Sequence, residues 1–338
     1  MSAADTSIAR APAGRPSPAP GPDPGKAPPG QPHGGGRGRG PRRDPAWAPW
    51  LLLAPTLLVL ALVLGYPLVR LLVISFRQYG QAELWQGLPG DWQGLANYTH
   101  ILTDGAFWSV VLRTLLFTLA AVTLTMTVGM AVALLLQRVS TWVKVLVNIV
   151  LVASWSMPVV VAITVFKWMF DSDYGVLNWL FSRIPGVDLE GHNWFTDSTQ
   201  GLAVIVLLVV WGAVPFVAIT LHAGLTQVPK ELEEAARLDG AGPVKVFRHV
   251  TVPVLKPVIV MLTTLSVIWD MGVFPQVFLM RDGHPEPEYQ VLTTYSYDQA
   301  FVVNDYDAGA AIAVVTVLLL LGVMAVYMRQ MLKIGEVE

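Results

Sequence analysis

Six stretches of this chain are apolar over roughly the length of a membrane crossing, at approximately 50–74, 110–136, 145–169, 202–222, 257–280 and 308–328. A helix rises ~1.5 Å per residue, so about 20 apolar residues cross the ~30 Å hydrocarbon layer of a bilayer. There every backbone N–H and C=O has to be satisfied inside the protein, which a helix does within its own segment. The six runs therefore predict an all-α integral membrane protein with six spans. Composition agrees: 54% of residues are hydrophobic and only 14% charged, against about 25% charged in an ordinary soluble domain.

Residues 1–43 differ from the rest. "PSPAPGPDPGKAPPGQPHGGGRGRGPRR" has almost no apolar side chains to bury, so nothing offsets the entropy of ordering it. It is expected to be a disordered tail, and 44–338 the membrane domain. Its basic end (Arg37, Arg39, Arg42, Arg43) can also touch anionic lipid headgroups. It lacks the order of a signal peptide: short basic region, apolar region, cleavage site.

Several function classes drop out. There is no Cys, so no disulfide, thiolate ligand or Cys nucleophile. A net charge of -2 implies no nucleic-acid partner. The six His show no metal-ligand spacing, and no phosphate loop or nucleophile elbow is present. No catalytic set, metal site or bound cofactor is expected of this chain.

Lys and Arg set the orientation. With a cytoplasmic N-terminus, the tail, "QRVSTWVK", the 223–256 loop and the C-terminal end hold sixteen of the 22 basic residues. The opposite loops are acidic, with Asp171, Asp173, Asp188, Glu190, Asp197, Asp282, Glu286 and Glu288. Both termini are thus expected on the cytoplasmic side. Arg113 and Lys167 lie near span ends, where long side chains snorkel to water. Trp85, Trp92, Trp108, Trp179 and Trp194 fit an interfacial belt.

The 223–256 loop is charged and punctuated by Gly and Pro. Pro229 suits the first turn of a helix, where its missing N–H costs nothing. In "KELEEAARLD", Leu232, Ala235 and Ala236 fall at i, i+3 and i+4 and make a narrow apolar stripe. Gly240 supplies a left-handed turn. "PVKVFRHV" reads as a second short helix with Val244, Phe247 and Val250 on one side, which Pro253 stops. On these grounds alone, a helical pair for a partner surface and a self-packed connector are both open.

Glu234-Ala235-Ala236, then Gly240, then Val250-Thr251-Val252-Pro253 resembles the EAA motif of membrane subunits of ATP-binding-cassette importers. Asp239-Gly240-Ala241 extends the match, and Val250 and Val252 replace bulkier aliphatics. The resemblance covers most of residues 50 to 335. "GLANYTHILTDGAFWSVVLRTLLFT", "DYGVLNWL", "NWFTD" and "YQVLTTYSYDQAF" resemble the sugar-importing branch, and within it the maltose-type first permease subunit. "PGDWQGLANY", "EGHNWF" and "IWDMGVFPQVFLMRDG" are most similar to permeases for chitobiose-type disaccharides of actinobacteria; cellobiose, trehalose and maltodextrin stay open.

This resemblance implies a type I permease in a bacterial plasma membrane, paired with a second permease subunit. It implies two cytoplasmic ATPase subunits, which use the ATP and Mg, and an extracellular solute-binding lipoprotein. The chain itself is then a transport subunit, not an enzyme. The loop becomes a coupling helix: Glu234 makes polar contacts on an ATPase, Ala235 and Ala236 allow close approach, and Gly240 sets the turn.

Asp270 lies deep in the fifth run, beside Gly272 and Pro275. An ionisable group there is costly unless it faces a cavity or a partner, and broken helices lining a cavity are where transporters bind substrate. Carried over by position from the maltose-type subunit, sugar-contacting residues fall on Ser266, Trp269 and Asp270, with a second region at Trp155. Helix–helix hydrogen bonding by Asp270 and packing by Trp155 are the plainer alternatives. A proton- or ion-coupled transporter using Asp270 is the alternative function; a single mid-span acid and no evident inverted repeat weigh against it.

Overall fold

The computed structural model describes residues 47–335, so the expected tail 1–43 lies outside the described residues. The first run forms α1 (Ala48–Leu60), a π-helical turn at Ala61–Gly65, and α2 (Tyr66–Ile74). Then β1 (Arg77–Gln78), α3 (Gln81–Gln86) and β2 (Asp91–Trp92) form a small antiparallel ribbon around a short helix. α4 (Ala96–Thr103) leads to α5 (Gly105–Arg138), whose first turn is capped by Asp104 accepting from the Ala106 N–H at 2.9 Å.

α6 (Thr141–Trp155) and α7 (Val159–Met169) are followed by α8 (Val176–Phe181) and by α9 (Ser198–Leu225), capped by Asp197. α10 (Lys230–Leu238) precedes α11 (Pro243–Val246), a π-turn at Phe247–Thr251 and α12 (Val252–Met271). α13 (Pro275–Met280), α14 (Leu292–Tyr297), a π-turn at Asp298–Val302 and α15 (Tyr306–Gly335) end the chain.

Among the described residues five helices are long and apolar enough to cross a membrane, and α6 with α7 brings the number to six when the bent pair is counted as one broken span. α5 and α9 form the centre. Ala121, Ala133 and Ala218 have no exposed surface, so small side chains let the helices approach closely, as in membrane helix pairs. Ile205, Leu208 and Val214 of α9 then pack with Phe117 of α5 and Ile163 and Phe166 of α7. Further along α9, Val217 and Leu221 pack with Leu255 and Leu262 of α12.

The third and fifth spans differ from their expected form. The run at 145–169 is bent by 99° between α6 and α7. Met157 precedes Pro158, so it is kept out of helical geometry, and Pro158 has no N–H to donate. The fifth run starts earlier than 257 and breaks before 280. It is helical from Pro243 to Met271, then interrupted at Gly272–Phe274. Pro253 does not stop the helix. The π-turn makes a wide ring, with the Val252 N–H reaching Phe247 O, and Pro253 falls in the first turn of α12, where it is tolerated. The side expected of Val244, Phe247 and Val250 is not the buried one either: Val246 is buried and Val244 is exposed.

Loops at one end of the bundle, the loop end, are tied together across the chain. Arg113 Nη1 donates to Pro287 O at 2.7 Å and Gln290 O at 2.8 Å. Lys167 pairs with Asp282, and Arg281 with Glu286. Arg281 also sits over the Tyr289 ring at 4.5 Å, and the Tyr289 hydroxyl donates to Phe195 O at 2.8 Å. Arg113 and Lys167 thus hold loop groups instead of snorkelling freely. Their partners are 174 and 115 positions away in sequence, which local pattern cannot reveal. Trp194 departs from the expected belt as well: it is partly buried and donates to Asn178 Oδ1 at 2.6 Å.

Candidate functional site

Both broken spans open onto one cavity of ≈ 340 Å³. The α6–α7 break contributes Ser154, Trp155, Met157 and Val159, and α7 adds Ala162. α9 supplies Leu208, Val209 and the stretch Trp211–Gly212–Ala213. The α12–α13 break contributes Trp269, Asp270, Val273 and Gln276. A straight helix presents one stripe to a neighbour. Interrupting two helices turns residues on both sides of each break toward the same space. The second break is itself pinned, because the Thr293 hydroxyl donates to Val273 O.

The walls are aromatic. Trp155 stacks on Phe216 with ring centroids 5.9 Å apart, and Trp269 meets the same Phe216 at 5.6 Å. Trp211 packs on Phe166 at 5.9 Å. Phe216 thereby sets both tryptophans in place. Trp155 remains 55% exposed and Trp269 48% exposed, so each keeps a face available.

Two polar groups stand out against these walls. Asp270 is 4% exposed, and its Oδ2 has no hydrogen-bond partner. Gln276 Oε1 is buried and also without a partner. A buried acceptor left unpaired costs about 1–3 kcal/mol, so its persistence asks for an occupant or a function. Of the four residues expected at a substrate site, Trp155, Trp269 and Asp270 line this cavity. Ser266 does not: it is buried one turn below Asp270, inside the helix packing.

A second feature lies at the opposite, hairpin end. α10 finishes in a two-bond C-terminal lock, with the Gly240 N–H donating to Arg237 O at 3.0 Å and the Ala241 N–H to Ala236 O at 2.9 Å. Gly240 has φ +83°, a left-handed value that a side chain would strain, and Asp239 caps the helix before it. Glu233 faces inward to Arg237 at 3.3 Å and Thr251 at 3.4 Å. Glu234 and Ala235 are exposed, Ala236 is half-buried, and Leu238 is 88% exposed. The hairpin therefore presents apolar groups to whatever lies beyond it.

Residues 125–333 match the family of binding-protein-dependent transport system inner membrane components. The chain belongs to that family. This permease is 41% identical to the diacetylchitobiose uptake system permease protein of Streptomyces coelicolor over 87% of this chain and 89% of that protein. It is 33% identical to the sulfoquinovosyl glycerol transport system permease protein of Agrobacterium fabrum, over 84% of this chain and 94% of that one. Its fold resembles a bacterial importer of the acidic polysaccharide alginate, with TM-score 0.69 and 19% identity over 84% of this chain and 96% of that chain. The chain is thus an inner-membrane permease with the type I importer fold.

Two cavity residues of the permease escaped sequence reasoning. Trp211 lies in a run that reads as uniformly apolar, and Gln276 follows the break as one polar residue among apolar ones. Gln276 did carry a signal, since an amide within an apolar run needs a partner as Asp270 does. Among the described residues no group of three or more His, Cys, Asp or Glu could hold a metal ion.

Proposed function

We propose that this permease forms half of the translocation pathway of an ATP-driven importer for disaccharides or short oligosaccharides, with a chitobiose-type disaccharide as its first candidate. The observation that carries the reading is the cavity between the two broken spans. Its tryptophan faces suit the C–H faces of sugar rings, and Asp270 and Gln276 offer acceptors to sugar hydroxyls or amides. Its ≈ 340 Å³ falls at the lower end of ligand-site volumes. Two similar proteins are named for glycoside uptake, which supports the same substrate class.

The remaining half of the pathway falls to a second permease subunit, and the family description supports an external binding protein. The hairpin end faces the cytoplasm, in line with its Lys and Arg, and both termini lie on that side. There the segment around Glu234, Ala235, Ala236, Asp239, Gly240 and Ala241 docks on one of two ATPase subunits, and Pro253 starts the helix that carries its motion. ATP and Mg act in those subunits. Coupling requires that each state of the permease bind the ATPases with different affinity. α12 offers a direct route, because it runs unbroken from the hairpin to Asp270. Family membership leaves no observation that favours an ion-coupled mechanism.

The test is co-purification followed by transport. The tagged permease, extracted in mild detergent from its native host, should retain a second permease and an ATPase, and the reconstituted assembly should take up N,N′-diacetylchitobiose on ATP. Glu234→Ala with Gly240→Pro should strip the ATPase while leaving membrane insertion intact. A homo-oligomer without ATPase would overturn the reading.

A further inference from the structure

A second cavity, of ≈ 490 Å³, lies between the loop-end halves of α5 and α9 and shares no residue with the first. It is an open groove: Leu112 and Leu116 on its rim are more than half exposed. From Ser109 to Ala120 it follows α5 for about 16 Å at ~1.5 Å per residue. That is about half of the ~30 Å hydrocarbon layer, the depth of one leaflet. Polar and apolar residues are sorted along it. On α5, Ser109 and Arg113 precede Leu116 and Ala120; on α9, Thr199 precedes Leu202 and Val206. Arg113 is only partly engaged. Its Nη1 serves the carbonyls of Pro287 and Gln290, whereas Nε and Nη2 have no partner among the described residues and are not buried. No ion pair there includes Arg113, and Glu288, between those carbonyls, acts on it only at a distance. The Ser109 hydroxyl donates to Gly105 O at 3.1 Å, but the Thr199 hydroxyl is exposed and unpaired among the described residues.

We infer that this groove holds a phospholipid of the leaflet at the loop end, with its phosphate on Arg113 and one acyl chain along Leu116, Ala120, Leu202 and Val206. The site is separate from the cavity between the broken spans and goes beyond the transport reading. A guanidinium grips a phosphate through adjacent N–H groups, and Nε–H and Nη2–H are the adjacent pair left over. The Thr199 hydroxyl adds a third donor. A cation this close to hydrocarbon is costly without a counter-charge, which the phosphate supplies. Lower in the groove no hydrophobic transfer operates, since lipid tails are as apolar as Leu; a fitted chain is held by packing. An apolar helix of a second permease could cover the same walls, but it would leave Nε and Nη2 bare. The donors therefore favour the lipid.

The experiment uses the full-length permease in the complex it forms in its native host, purified in detergent and stripped of lipid. Native mass spectrometry follows the rebinding of dioleoylphosphatidylglycerol and of dioleoylglycerol, which has the same chains and no phosphate. Ala203→Phe fills the groove at a position whose present side chain is exposed, so the binding it abolishes belongs to the groove. There the wild type should hold the phospholipid at least about tenfold more tightly than the diacylglycerol. Arg113→Gln should bring the two within about twofold. Should that variant fail to assemble because its loop is released, Thr199→Val, which removes only an exposed hydroxyl, must still lower the preference at least about threefold. Unchanged binding in Ala203→Phe would overturn the inference, as it would if a partner helix covered the groove. Equal retention of the two lipids by the wild type would also overturn it. So would a rise in melting temperature with inorganic phosphate alone that matches the rise with phosphatidylglycerol, since the site would then hold an anion and not a lipid.

Discussion

Two glycines on α9, Gly201 and Gly212, lie three helical turns apart and meet opposite surroundings. A Cβ on Gly201 would strike the Tyr289 ring and come within 2.9 Å of Phe195 Cδ1. A Cβ on Gly212 would meet nothing within 4 Å, because that position faces the cavity. The same residue type serves tight packing at the loop end and open space at the middle of the same helix. Their polar neighbours follow the same division. At the loop end Arg113, Lys167, Arg281 and Tyr289 all have partners, whereas Asp270 and Gln276 each present an unpaired oxygen. Arg77 Nε, Thr118, Thr125 and His222 Nδ1 are also buried without a partner, so what sets Asp270 and Gln276 apart is that both line the cavity.

The largest effect should come from closing the Gly201 gap. Gly201→Val forces Tyr289 off its site and should cost about 3 kcal/mol, read as a lower melting temperature of the detergent-solubilised permease. Gly212→Ala, by contrast, should keep or slightly raise that temperature, since Ala favours helix, and should reduce sugar uptake by narrowing the cavity. Equal melting losses from the two would erase the distinction. Arg113→Gln comes next. It removes two charge-assisted bonds to the 281–291 loop and should cost about 2 kcal/mol.

Lys167→Met should cost less than about 1 kcal/mol, because the Asp282 side chain is 82% exposed and its pairing is screened. The smallest effect is that of acid. The hydrogen bond from Arg281 holds the Glu286 carboxyl below its usual range. A depressed carboxyl stabilises the fold above its unfolded pKa and loses that contribution as pH falls through the folded value. Glu286 is close to half exposed, so melting scans from pH 7 to 5 should show no change from this pair, and Glu286→Gln should melt slightly below wild type over that range and converge with it below about pH 4.

Much of this was legible in the sequence, and the remainder has physical reasons for being hidden. Span length and hydropathy are local properties, so six runs and the hairpin turn at Gly240 can be read directly. Asp270 betrays itself because a carboxylate within apolar sequence is costly. Bends are less legible. Pro158 sits at a 99° break, whereas Pro215, Pro253 and Pro257 lie in continuous helices, so a proline in an apolar run does not by itself mark the bend. Ser266 shares a face with Asp270 on an ideal helix, yet the cavity opens only above it, at the break. Arg113 and Lys167 find partners that only the folded chain brings near.

The most direct measurement is sugar uptake by Asp270→Leu in proteoliposomes of the assembled importer, normalised to intact complex by melting temperature. Replacing an unpaired buried acceptor with an apolar group of similar size is neutral or stabilising for the fold. The account predicts an unchanged or higher melting temperature with uptake of N,N′-diacetylchitobiose reduced by at least about tenfold, the worth of one good hydrogen bond. A complex that melts lower and still transports at the wild-type rate would show that Asp270 serves packing, and would contradict the assignment of the cavity as the sugar's path.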